Sequence, residues 1–259
     1  MRVVFASARS SPGVTTAMLA CASVWPGEVL LVEAAEDGGS LAARFGLPLE
    51  PGLMTLGAAA RNDGQTPLAS HTQALPGTDG RITVLVGPPA TEPAQALLKS
   101  VAARIEPLLA EIDSPVLIDA GRLSGAPLAA PLIAGADQLV LVARPRVEEL
   151  QALAHRLPVL ARFGPSPEVL LVGDRPYGPE EVATTLGCRV LGVLAHDPAA
   201  ADALAAVAPS RRLGRSLLLR SATTVVGDLN RAASSKVELE PAAEPESAVR
   251  SGRFTAVRP

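Results

Sequence analysis

Seven short aliphatic runs, at residues 3–6, 29–32, 82–86, 116–118, 139–142, 169–172 and 190–194, recur along the chain without polar alternation. A strand with one wet face alternates apolar and polar residues. A run that is apolar throughout is buried on both faces, as in a parallel sheet covered by helices. Helical patterns at 15–24, 94–111, 147–162 and 179–186 fall between these runs. The alternation predicts a single doubly wound α/β domain over residues 1–233, with a mostly parallel sheet and helices on both faces. Aromatic residues make up 2% of a chain that is 48% hydrophobic, so the core must be Leu, Val and Ala.

Less regular segments complete the layout. Residues 51–79 are rich in Gly, Thr, Gln and Asn, and predict a short helix at 53–61 within an irregular excursion over the sheet edge. An Ala-rich helix is expected after Asp202, then a last amphipathic helix over about 215–233. Pro, Ala, Ser and mixed charges dominate residues 234–259, a composition that buries too little surface to order itself, and a disordered tail is expected there.

A net charge of −3 gives no electrostatic reason to wrap nucleic acid. No apolar run approaches the ~20 residues that span a bilayer. The amino terminus enters a strand with no leader-like pattern, so a cytoplasmic protein is expected, peripheral to a membrane only through a partner. Cys21 and Cys188 have no metal or disulfide spacing and read as buried free thiols.

The first run leads into "SARSSPGVTT", Ser7 to Thr16, and then into a helix. Strand, tight loop and helix is the layout of a phosphate-binding loop, G-x-x-x-x-G-K-[ST]. The frame falls on Ala8, Arg9, Ser10, Ser11, Pro12, Gly13, Val14 and Thr15, with valine at the lysine position. Such a loop works by aiming backbone N–H groups and the positive end of a helix at phosphate oxygens. Pro12 removes one donor and Val14 removes the fixed charge. Thr15 has a second reading as a helix cap. Asp119 closes the fourth run, where a parallel sheet exposes its ligand-facing loops, and turn formation is its second reading.

These residues resemble the MinD/ParA group of deviant-Walker ATPases, which read K-G-G-V-G-K-T-T. Arg9 stands at the signature lysine, followed in frame by Ser10, Ser11, Pro12, Gly13, Val14, Thr15 and Thr16. "EVLLVEAAEDGGSLAARFGL" resembles the family's second strand and D-x-D motif, with Glu33 at the first acid and Ala35 at the second. "SPVLIDAGRLSG" resembles the Walker B strand ending in Asp119. "GADQLVLVARP" and "VLLVGDRPYGPEEVATTLGCRVLGVLAHDPAAADAL" resemble later strands, with Gly173-Asp174 where the family has its base-reading asparagine.

The resemblance implies a nucleotide site made by Arg9, Ser10, Ser11, Gly13, Val14, Thr15 and Thr16, taking ATP or ADP with Mg. Thr15 and Asp119 would hold the metal, and Glu33 and Asp119 are the candidate catalytic acids. Fast hydrolysis is not expected, because Glu33 is a methylene longer than the usual acid and Ala35 cannot assist it. The resemblance further implies a homodimer in which Arg9 reaches the partner subunit's phosphates. The "SPGVTT" loop resembles a degenerate actinobacterial MinD-like subgroup that accompanies Tad/Flp-type pilus or secretion components, related to the TadZ/CpaE localisation factors. The expected function is therefore a spatial organiser or assembly factor with a degenerate nucleotide site and protein partners in such an apparatus. The alternative is a slow Mg-dependent ATPase with Arg9 in place of the missing lysine. A dinucleotide-dependent oxidoreductase shares the sheet but lacks G-x-G-x-x-G; Glu33, at the end of the second run, is what keeps that reading open.

Outside this set, Arg144, Arg146 and Arg175 follow strand ends, where they could meet an anion, but read first as solvated loop residues. His71, His155 and His196 pair with no nucleophile, and Asp197 reads as a helix cap. The last helix reads as packing on the sheet, with no membrane-targeting device.

Overall fold

A computed structural model describes residues 1–9, 12–61, 67–205 and 213–239. Ser10 and Ser11 of the loop lie outside the described residues, as do residues 240–259 of the expected tail.

The structure is one eight-stranded sheet in the order β3-β4-β2-β5-β1-β6-β7-β8. Its strands are β1 (Arg2–Ser7), β2 (Val29–Glu33), β3 (Gln73–Ala74), β4 (Ile82–Leu85), β5 (Val116–Arg122), β6 (Gln138–Ala143), β7 (Glu168–Val172) and β8 (Val190–Leu194). All pairings are parallel except that of β3 with β4. β3, two residues long, has no period to read and escapes the sequence pattern.

The unbroken aliphatic character of the strands is explained by two cores. Val3, Phe5, Leu31, Leu117 and Val140 face one cluster, while Val4, Ala6, Val32, Ile118 and Leu141 face the other. The first is covered by α1 (Val14–Val24), α2 (Leu41–Phe45), α8 (Pro198–Leu204) and α9 (Leu217–Leu239). The second lies under α3 (Leu53–Arg61), α4 (Thr91–Ala110), α5 (Ala130–Ala134), α6 (Val147–Leu160) and α7 (Pro179–Leu186).

Some boundaries move from the expected ones. The Ala-rich helix is α8, and it begins at Pro198, before Asp202, with the Asp197 carboxylate accepting a hydrogen bond from Ala200 N at 3.0 Å. α9 passes the expected end at Ala233 and runs to Leu239. Helices α2 and α5, each five residues long, are too short to show a 3.6-residue period and were not expected. Among the described residues no helix is long and apolar enough to cross a membrane.

Candidate phosphate cleft

The strand order turns back at β1, and at such switch points the loops leaving the strands part to form a crevice. Here it is a cleft of about 490 Å³ at the carboxyl ends of the strands. Ser7 of β1, Glu33 of β2, Asp119 of β5 and Leu194 of β8 all line it, and the amino-terminal turn of α1 forms one wall.

That turn is built by Gly13. Its φ of 103° and ψ of 42° lie in the left-handed region that a side chain disfavours, and they swing the chain from the loop into the helix. The first helical backbone bond is donated by Ala17 N to Gly13 O, and no side chain caps the helix. The amides of Val14, Thr15 and Thr16 therefore precede the intrahelical ladder, in residues that line the cleft. Such a helix end carries partial positive charge and suits an anion. Val14 is buried at 7% exposure and belongs to the core below α1 as well as to the cleft wall.

Thr15 does not cap the helix. Its Oγ1 donates to Asp119 Oδ2 at 2.5 Å, across 104 residues of sequence. Asp119 Oδ1 accepts from Gly121 N at 2.9 Å. Burial raises the Asp119 pKa, against the lowering effect of the Thr15 and Gly121 hydrogen bonds and of Arg44. One hydroxyl and one carboxylate, side by side, are the hard oxygen donors that suit Mg, which keeps several waters and takes phosphate oxygens for the rest of its shell. Among the described residues no cluster of three acidic, His or Cys side chains offers an all-protein metal cage. The donor set fits Mg brought with a nucleotide.

Glu33 pairs with Asp119 in the β2–β5 register, and it too is buried. Its Oε1 accepts from Ser40 N at 2.5 Å and Leu41 N at 2.8 Å, and its Oε2 from Gly87 N at 3.0 Å. Both oxygens are thus engaged with main chain, joining the start of α2 to the loop after β4. Gly39 is required beside it, because a Cβ there would overlap the Glu33 carboxylate. Burial raises the Glu33 pKa; the three backbone donors oppose this, and the nearby Asp119 charge adds to it.

Of the expected site residues, the structure brings Gly13, Val14, Thr15, Thr16, Glu33 and Asp119 together in the cleft. Arg9 is exposed and is not part of the cleft wall. Ser10 and Ser11 are outside the described residues. Three cations outside the expected site set line the cleft: Arg44 and Arg122, which sequence reasoning missed, and Arg144, which it named as able to meet an anion. Arg144 is thus not a merely solvated loop residue; its backbone N–H donates to Glu149 Oε2 at 2.7 Å. Its place after a strand end is the signal that singled it out, whereas Arg44 sits on an element too short to be read. His196 and Asp197 also line the cleft.

No protein-family model matches the chain, and no curated protein matches it in sequence. Solved structures do match it in fold. A ParA family ATPase from Chlorobium tepidum superposes with a TM-score of 0.71 at 16% identity, over 88% of this chain and 98% of that one. MinD of Pyrococcus horikoshii, complexed with Mg-ADP, gives 0.69 at 16%, over 91% and 98%. The MinC:MinD cell division complex of Aquifex aeolicus gives 0.68 at 14%, over 98% of both chains. The fold is that of the ParA/MinD P-loop NTPases.

Proposed function

We propose that this chain is a MinD/ParA-like spatial-organisation or assembly factor, in which bound nucleotide sets the state of a homodimer and is turned over slowly or not at all. The observation that carries the reading is the Thr15–Asp119 hydrogen bond of 2.5 Å beneath an uncapped helix end. It sets two oxygen donors beside the backbone amides that would take phosphate. Thr15 and Asp119 would hold Mg, which when bound would supply positive charge against the phosphates. Thr16 and the amides of the first turn of α1 would orient the anion.

Slow turnover follows from three features of the same cleft. Val14 offers no charge to a transferring phosphoryl group. Three backbone donors take three of the roughly four acceptor directions of the Glu33 carboxylate and tie it to main chain, which restricts it as a group for orienting a water. Ala35 adds only a methyl group. Arg9, exposed and outside the wall, is assigned to the phosphates of a partner subunit, as the resemblance implies. That placement disfavours the slow-ATPase alternative in which Arg9 replaces the lysine within its own protomer. The Mg-ADP and MinC complexes of the similar folds support a nucleotide ligand and a protein partner. The serine-proline loop supports a partner in a Tad/Flp-type pilus or secretion apparatus.

The test is calorimetric titration with ATP and ADP, with and without Mg, combined with light scattering of the eluting species. Micromolar, Mg-dependent binding that shifts the protein toward a dimer, with phosphate release far slower than binding, is the expected result. No heat up to millimolar nucleotide would overturn the reading.

A further inference from the structure

The loop carries Val14 where a phosphate-binding loop carries lysine, yet a cation lines the same cleft from another element. Arg44 lies in the last turn of α2, is half-buried, and lines the cleft with Thr15 and Asp119. Its position is imposed by its surroundings. The Glu33 carboxylate accepts from Ser40 N and Leu41 N and so pins the start of α2. Leu41 and Phe45 bury their side chains in the core on one side, and Gly46 ends the helix in a left-handed conformation. A single helical turn held at both ends and along one face has no freedom to rotate, so Arg44 is kept at the cleft.

The other two cations of the cleft are differently placed. Arg122 is bridged to Asp37 at 3.1 Å on the exposed rim. Arg144 follows β6, with its backbone held by Glu149. Among the described residues Arg44 makes no salt bridge, and its charge lowers the pKa of the Asp119 carboxyl. A guanidinium offers five donors in a planar fork suited to phosphate oxygens, and it stays charged at any working pH.

We propose that Arg44 is the phosphate-contacting cation of this cleft, supplying from α2 the charge that Val14 leaves out of the loop. The ligand is a nucleoside polyphosphate, so the proposal rests on the phosphate-site reading above. Glu33 and Gly39 then act as positioning residues, since they hold the helix that carries Arg44. This gives a carboxylate at the end of β2 a use even where it does not orient water.

The experiment is calorimetric titration of the full chain with Mg-ADP, in wild type, Arg44→Ala, Arg44→Lys, Val14→Lys and the Val14→Lys/Arg44→Ala double variant. Thermal melts of each establish that they fold. Arg44→Ala is expected to weaken binding by about ten- to a hundredfold, the worth of a charge-assisted contact, and Arg44→Lys by less. In the Val14→Lys background, where the loop charge is restored, removing Arg44 should cost severalfold less than in wild type. Binding by wild type that is unchanged in Arg44→Ala would overturn this proposal and leave the phosphate site standing. An equal loss in both backgrounds would also overturn it, because Arg44 would not then be standing in for the lysine. A wild type that binds no Mg-ADP would overturn the phosphate-site reading and this proposal together.

Discussion

Asp119 is a charged group in a buried place, and its energetics run against its chemistry. Burial raises its pKa, so the native state holds that proton more tightly than the unfolded chain does. A carboxyl with a raised native pKa contributes stability in full below its unfolded value of about 3.9, and loses that contribution as pH rises through the native value. At neutral pH Asp119 therefore costs stability relative to acid pH. Asp119→Asn removes the charge and keeps the hydrogen bonds, since an amide oxygen accepts from Gly121 N and an amide nitrogen donates to Thr15 Oγ1. The variant is expected to melt at a higher temperature than wild type at pH 7, with the gap closing toward pH 4, while losing Mg-dependent nucleotide binding. Thermal scans at the two pH values, alongside titration with Mg-ADP, check this; a lower melting temperature at pH 7 would contradict it. A buried acid kept at a stability cost is what a ligand site requires.

At the level of elements, α9 decides whether the first core is closed. Leu218, Leu219, Ala222, Val225, Val226 and Leu229 bury the face that meets α1 and β8. Their spacing follows one side of a helix, which is why the packing role was legible before the fold was known. Leu229 is fully buried, and its carbonyl accepts from Gln138 Nε2 of β6 at 2.8 Å. Leu229→Ala removes the side chain and leaves a cavity over the sheet, a loss expected to destabilise the fold by about 2–5 kcal/mol. Urea unfolding measures it, and the midpoint should fall with little change in slope. A cost under about 1 kcal/mol would mean that α9 is held loosely and that the core is closed by other helices. By contrast, α2 carries almost no periodic signal, because five residues show little more than one turn.

Across the whole molecule, the two cysteines report on how the fold opens. Cys21 is fully buried on α1, and its thiol is pushed up to about 12 by burial. Cys188, between α7 and β8, is half-buried, and its thiol is raised by the same cause. The expectation of two buried thiols is thus met by Cys21 alone. Because the thiolate is the reactive form, labelling with a disulfide reagent at pH 8 should modify Cys188 first, and Cys21 only at the rate of global opening. Peptide mapping of the labelled protein reads the order. Equal rates would show that α1 parts from the sheet without unfolding of the whole domain.

Fold class, seven of the eight strands and the helices longer than a turn and a half were legible because burial imposes periods that any window of the chain displays. The loop frame around Gly13 and Thr15, and the acid that follows the apolar run of β5, were legible because short-range backbone geometry ties those residue types to those positions. What only the tertiary structure decided is which side chains share the cleft. The Thr15–Asp119 bond spans 104 residues. The occupation of Glu33 by Ser40, Leu41 and Gly87 depends on two separate loops meeting above β2. Arg44 reaches the cleft only because those bonds pin a helix too short to announce itself. Arg9, at the position of the signature lysine, is exposed and outside the cleft wall. Periodicity is a local property of the chain, whereas a constellation of charges is set by strand order and the packing of loops, which no local window contains.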